Sequence, residues 1–206
     1  EKNGGCITVY SQVTEMIFDG TSIKKIVTTK KVYEDFDFVI SAIPHFALEK
    51  LIADESLVKN PEFSYSSILN IHIWLSRNPL TKNFYGLIGS PIHWIFNKGT
   101  HLNLVISDAD NLLNKNDDEL FEMVCSELKK YVNLDKQLIT DYKVIKEKRA
   151  TFIPSNDITS KRPLQQTKIK NLILAGDWVD TGLPSTIESA VKSGREATER
   201  ILRANY

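Results

Sequence analysis

The last thirty-odd residues limit the possible folds of this chain more than any other stretch. Leu172–Ala175 is a short apolar run of the kind found in a buried strand, and Pro184–Leu202 has the periodicity of an amphipathic helix. Between them stand two turn signals, Gly176-Asp177 and Thr181-Gly-Leu-Pro184. Ser185-Thr-Ile-Glu188 fits a capping box, with Pro184 holding the entry angle. A strand that delivers its end to a helix N-terminus gathers unpaired N–H groups and positive dipole potential at one place, where anions and electron-rich oxygens settle. Ala190, Gly194 and Ala197 recur at helical spacing and predict a small-residue face that approaches backbone or a flat ring closely. Spacing alone favours a tightly packed core helix; the carboxylate and permissive glycines of the preceding loop tip the balance to a polar ligand.

Upstream, the pattern alternates between the two secondary structures. Cys6–Phe18 and Ser22–Thr28 are β-rich and flank Asp19-Gly20, a hairpin signal. Phe36–Ile43 predicts a buried strand, after which Pro44 opens a helical face of Phe46, Leu48, Leu51 and Ile52. Four short β-like runs follow at 68–75, 84–88, 93–96 and 102–107, punctuated by Asn78-Pro79, Gly89, Pro91 and Gly99, which predicts an antiparallel sheet. Asn116 with Glu119 marks a helix start, and Leu120, Phe121, Val124, Leu128 and Tyr131 form one apolar stripe to lie on that sheet. Asp141–Arg149 predicts a further strand. Thr151–Lys170, with Pro154 and Pro163, predicts an irregular surface connection.

At 206 residues and 42% hydrophobic, the chain can bury a sizeable core. Its 26 basic and 26 acidic residues leave no global field to recruit nucleic acid or an anionic membrane. Cys6 and Cys125 are too few and too far apart for a disulfide framework, so a reducing, cytoplasmic setting is expected. No run reaches the roughly 18 apolar residues of a spanning helix, and any membrane contact is expected to be peripheral, at the inner face. The opening Glu1-Lys-Asn-Gly-Gly-Cys6 looks like a loop entering a strand and is expected to belong to a longer protein.

Among single residues, His45, His72, His93 and His101 are scattered without metal-site spacing and are expected to be structural. No metal is expected and no catalytic side chain is assigned. Lys146, Lys148, Arg149, Lys161 and Arg162 are expected to be solvated charges, or otherwise a basic surface near a cofactor or anionic lipid.

Leu174-Ala-Gly-Asp-Trp178, Thr181-Gly-Leu-Pro184, Thr186-Ile-Glu188, Ala190 and Ser193-Gly-Arg195 together resemble the C-terminal signature of FAD-dependent amine-oxidase-type flavoproteins. Within that superfamily they are most similar to the squalene-associated and carotenoid-desaturase branch. Lys146–Phe152, Arg162-Pro163 and Pro91–Phe96 resemble the same branch. Cys6–Ile17 looks like the segment passing the adenine end of FAD, and Asp37–Pro44 like the strand and turn after it. The resemblance implies an α/β fold mixing α+β features, the C-terminal part of a two-domain flavoprotein. Residues 1–53 and 151–206 would belong to the FAD-binding domain, with an antiparallel substrate domain at 54–150.

Residue by residue, the resemblance implies that the Val13 backbone contacts adenine and that Asp177, beside Gly176, binds the ribityl or pyrophosphate part. The backbone of Ser185, Thr186 and Ile187 would face the pyrimidine edge of the flavin. It also implies a long isoprenoid substrate in an apolar tunnel. Trp74, Trp94, Phe84, Phe96 and Tyr85 either line that tunnel or form sheet core. The reaction would be replacement of a hydroxyl by hydride on a squalene-type alcohol, or desaturation of a phytoene-type carotenoid. No G-x-G-x-x-G occurs in the chain, so the pyrophosphate cradle is expected in a missing N-terminal FAD-binding segment. A non-catalytic lipid-binding or partner-binding remnant of the same fold is the rival, against which the intact turns at 176–177 and 181–184 argue.

Overall fold

The computed structural model of the chain describes residues 4–54, 56–58 and 61–204. It forms two compact units, Glu1–Glu62 with Pro154–Tyr206 and Phe63–Ile153. In the first, β1 (Val13–Asp19) and β2 (Ser22–Thr28) make an antiparallel hairpin, with Gly20 at φ 59 in the turn. A short β3 (Val32–Tyr33) extends it. The ladder begins at Val13 and not at Cys6: residues 6–10 are exposed, and Tyr10 takes a left-handed φ of 54. With no buried face to hold it, the apolar alternation there is not enough to make a strand.

Next, β4 (Val39–Ser41) buries Val39 and Ser41 and leaves Ile40 exposed. Pro44 is the N-cap of α1 (His45–Leu48), a single turn that buries Leu48, with Ile52 buried just beyond it.

The second unit is a five-stranded antiparallel sheet. Its strands β5 (Tyr65–Leu75), β6 (Phe84–Gly86), β7 (Trp94–Asn97), β8 (His101–Ser107) and β9 (Ile139–Phe152) lie in the order β6-β7-β8-β5-β9. Strict alternation sends Leu69, Ile71, Ile73 and Leu75 of β5 and Leu102, Leu104 and Ile106 of β8 to one face. There they join Leu120, Val124 and Leu128 of α2 (Asp117–Val132) in one core. Each such side chain contributes about 1.5 to 3 kcal/mol by leaving water. The helix begins in a complete capping box: Asn116 Oδ1 accepts from the Glu119 N–H, and Glu119 Oε2 from the Asn116 N–H, both at 2.8 Å. It stops at Asn133, in the left-handed conformation at φ 51.

The chain then returns to the first unit through α3 (Ile158–Lys161), β10 (Leu172–Leu174) and α4 (Ile187–Ala204). β10 pairs in parallel with β4, Leu172 opposite Val39 and Leu174 opposite Ser41. The expected surface connection is buried at several positions. Arg162, Pro163, Gln165 and Ile169 lie inside, the Leu174 N–H donates to the Gln165 carbonyl, and Gln166 bridges Ile173. The segment acts as an antiparallel neighbour to β10 and satisfies backbone groups that a lone two-stranded pair would leave open. Among the described residues no helix is long and apolar enough to cross a membrane.

Candidate functional site

The turn between β10 and α4 is built from the strand end outward. Gly176 takes φ 140, and a Cβ there would lie 2.7 Å from the Trp178 indole, so only glycine fits. Its N–H donates to Ser193 Oγ at 2.8 Å, tying the turn to α4. Trp178 Nε1 donates to the Ile43 carbonyl at 3.1 Å, tying it to the end of β4. Beneath lies Arg162, whose guanidinium donates to the carbonyls of Leu183, Asp177 and Val179 and to Ser189 Oγ. Burial pulls its pKa below the ordinary arginine value, while the Asp180 and Asp177 carboxylates oppose that shift. The expectation of a solvated Arg162 is therefore corrected. A basic residue between prolines in a polar run carries no periodic signal of burial, and only its place beside Pro163 in the family-like pair singled it out.

The helix start also differs from the expected capping box. Thr186 is the cap: its Oγ1 accepts from the Ser189 N–H at 3.2 Å, and its carbonyl accepts from the Ala190 N–H at 3.0 Å. The Ser185 hydroxyl donates instead to the Asp177 carboxylate, so these two predicted residues meet in one hydrogen bond. Ile187, the first helical residue, is 86% exposed. The packed face of α4 is Ser189, Ser193 and Ala197, with Ile201 against it, in place of the Ala190-Gly194-Ala197 face. A Cβ at Gly194 would meet nothing within 4 Å among the described residues. Both faces satisfy helical spacing, and the serines lie inward because Arg162, Gly176 and Thr181 offer them polar partners.

Val13 lies elsewhere in this unit, lining a cavity of about 700 Å³ with Gln12, Thr14, Ile26 and residues 39–43. The cavity is within the range of small-molecule sites. Ser41 belongs to its lining, and Ser41 Oγ is buried without a partner among the described residues.

In the second unit, the sheet face opposite α2 is lined by aromatic and amide side chains. Register places Phe84, Phe96, Asn103, His72 and Lys143 in one row across the five strands, and Trp94, Val105, Asn70 and Ile145 in the next. Trp74 and His101 pair beyond, their rings stacked at 5.0 Å. Trp74, Trp94 and Phe84 are 36%, 44% and 60% exposed. Tyr85 points the other way: it packs on the core, and its hydroxyl accepts from the N–H groups of Thr81 and Lys82. The histidines are not all isolated. His72 Nδ1 and His101 Nε2 are 2.8 Å apart, His93 Nδ1 accepts from the Ser107 N–H, and His45 is buried beside Trp178. Sequence spacing could not show the His72–His101 pair because only strand register creates it. Lys146 reaches back to the carbonyls of Leu113 and Lys115 and pairs with Asp117.

A parallel strand pair ending in a glycine turn at a helix N-terminus, in a chain that also carries a helix-backed antiparallel sheet, makes a mixed α/β architecture. The fold alone is similar to a solved oxidoreductase from Methanosarcina mazei, with a TM-score of 0.68 and 16% identity over 95% of this chain and 51% of that one. The family model of flavin containing amine oxidoreductases matches residues 1–202, and the chain belongs to that family. It is 35% identical over 166 residues to hydroxysqualene dehydroxylase of Zymomonas mobilis, covering 81% of this chain and 39% of the relative. It is 24% identical to 15-cis-phytoene desaturase of Glycine max, covering 97% of this chain and 40% of that protein. The chain thus spans about two fifths of the length of the curated relatives it matches.

A flavin is the cofactor of this family, and the residues present suit one. Gly176 lets the backbone turn tightly against Trp178 into the start of α4, whose exposed first turn presents N–H groups, and Ser41, in the lining of the cavity at Val13, carries a buried hydroxyl with no partner among the described residues.

Proposed function

We propose that these residues are the C-terminal portion of an FAD-dependent oxidoreductase that converts hydroxysqualene to squalene by reductive dehydroxylation. The likeness to hydroxysqualene dehydroxylase, at higher identity than to the desaturases, carries this proposal. Asp177 and the backbone of Ser185, Thr186 and Ile187 hold the flavin end of the cofactor, beside Gly176. The Asp177–Ser185 hydrogen bond fixes the carboxylate, and the dipole of α4 favours negative charge at its start. The Val13 backbone holds the adenine, and an N-terminal FAD-binding segment supplies the pyrophosphate cradle. When bound, FAD supplies the hydride that replaces the hydroxyl. The aromatic face of the five-stranded sheet holds the isoprenoid and keeps water from it.

Desaturation of a phytoene-type carotenoid is the second reading, favoured by the desaturase match along nearly the whole chain. The test uses the full-length protein, given hydroxysqualene with reduced FAD and phytoene with oxidised FAD. Squalene is the expected product. Phytoene desaturation without squalene formation would overturn the first reading in favour of the second.

A further inference from the structure

We propose that Asn70, Asn103, His72 and His101, set into the aromatic sheet face, recognise the hydroxyl group of a long isoprenoid alcohol. The inference rests on the functional proposal above and adds the residues that distinguish an alcohol from a hydrocarbon.

The row from Phe84 on β6 to Lys143 on β9 crosses four inter-strand gaps, about 19 Å, room for a good length of isoprenoid chain. A hydrocarbon needs only the aromatic side chains. Yet Asn103 and His72 occupy the middle of the row, with Asn70 and His101 beside them, all four half-buried. Covering those groups with hydrocarbon alone strips their water and returns nothing. An alcohol group repairs that loss.

The chemistry of the cluster is complementary to a hydroxyl. Asn103 Nδ2 donates to Asn70 Oδ1 at 3.4 Å, while Asn103 Oδ1 is buried without a donor among the described residues. That oxygen can accept from a substrate O–H. The His72 Nδ1 to His101 Nε2 contact at 2.8 Å requires one ring to donate and the other to accept. In either tautomer the neutral pair then offers one donor and one acceptor at its remaining nitrogens, His72 Nε2 and His101 Nδ1. A hydroxyl is likewise both donor and acceptor. Burial, His101 and Lys143 lower the His72 pKa and so favour the neutral form of that ring. A merely solvated sheet face would instead be strewn with charges, but here Asp141, Lys143 and Glu147 are confined to β9, the rim strand.

The test measures equilibrium binding of hydroxysqualene and of squalene to the full-length protein with oxidised flavin, where no hydride is available. The alcohol should bind roughly ten- to a hundred-fold more tightly. Asn103→Leu and His101→Phe, each made separately, should bring the two affinities within about threefold by weakening alcohol binding while squalene binding holds. Equal binding by the wild type overturns the inference, as does undiminished preference in either folded variant. If one variant fails to fold, the wild-type ratio and the other variant still decide. Turnover of hydroxysqualene with equal binding would sink this inference and spare the proposed reaction. Selective binding without turnover would do the reverse.

Discussion

Arg162 shows how much one side chain can organise. Its planar fork serves three carbonyls and a hydroxyl drawn from the Asp177–Leu183 turn and from α4, and so holds an irregular loop in a single shape. A lysine would keep the charge but offer one nitrogen in place of the fork. Arg162→Lys in the full-length protein should therefore lower the unfolding free energy by roughly 2 to 4 kcal/mol, read from urea unfolding, because buried acceptors go unsatisfied. A loss below about 0.5 kcal/mol would mean that the turn is held by other contacts. Sequence reasoning meets its limit at this scale. It singles out Asp177 and Ser185 but cannot show that they bond to each other, which leaves the cap to Thr186. Two hydroxyl residues in succession are equivalent caps until the tertiary environment claims one of them.

Helices and strands are more legible. The capping box of Asn116 and Glu119 stands as expected, because both halves of that motif are local and α2 needs nothing else to start. The alternation of β5 and β8 likewise follows from one buried face. The rotation of α4 differs from the expected one, since three small residues and three serine or alanine positions share the same period and only their partners tell them apart. The corrected orientation decides what a side chain at Gly194 does. With open space where a methyl group would stand and no positive φ, Gly194→Ala should stabilise the helix by about 0.5 to 1 kcal/mol, raising the thermal midpoint of the full-length protein. A lowered midpoint would show that another part of the longer protein covers this face.

At the scale of the whole molecule, the mixed α/β class is readable from the order of strand and helix patterns. The burial of Arg162, Pro163, Gln165 and Ile169 is not, because irregular chain has no period. The absence of a glycine-rich phosphate loop leads to the third expectation: the 206-residue chain, purified alone, retains no stoichiometric flavin, whereas the full-length protein does. Absorbance near the flavin bands of the two preparations decides it, and a yellow, stoichiometric short chain would refute it.

The pairing of β4 with β10 also has a consequence in time. Val39 meets Leu172 roughly 130 residues later, and a ribosome adding about 5 to 20 residues per second needs some 7 to 26 seconds to make that distance. Throughout that interval the apolar Val39–Ser41 edge has been synthesised without its partner, while the hairpin of β1 and β2, closed within seven residues of either side of its turn, needs no wait. Slowing translation ahead of Leu172 would lengthen the exposure of that edge, and nascent chains stalled there should be the ones that holding chaperones capture.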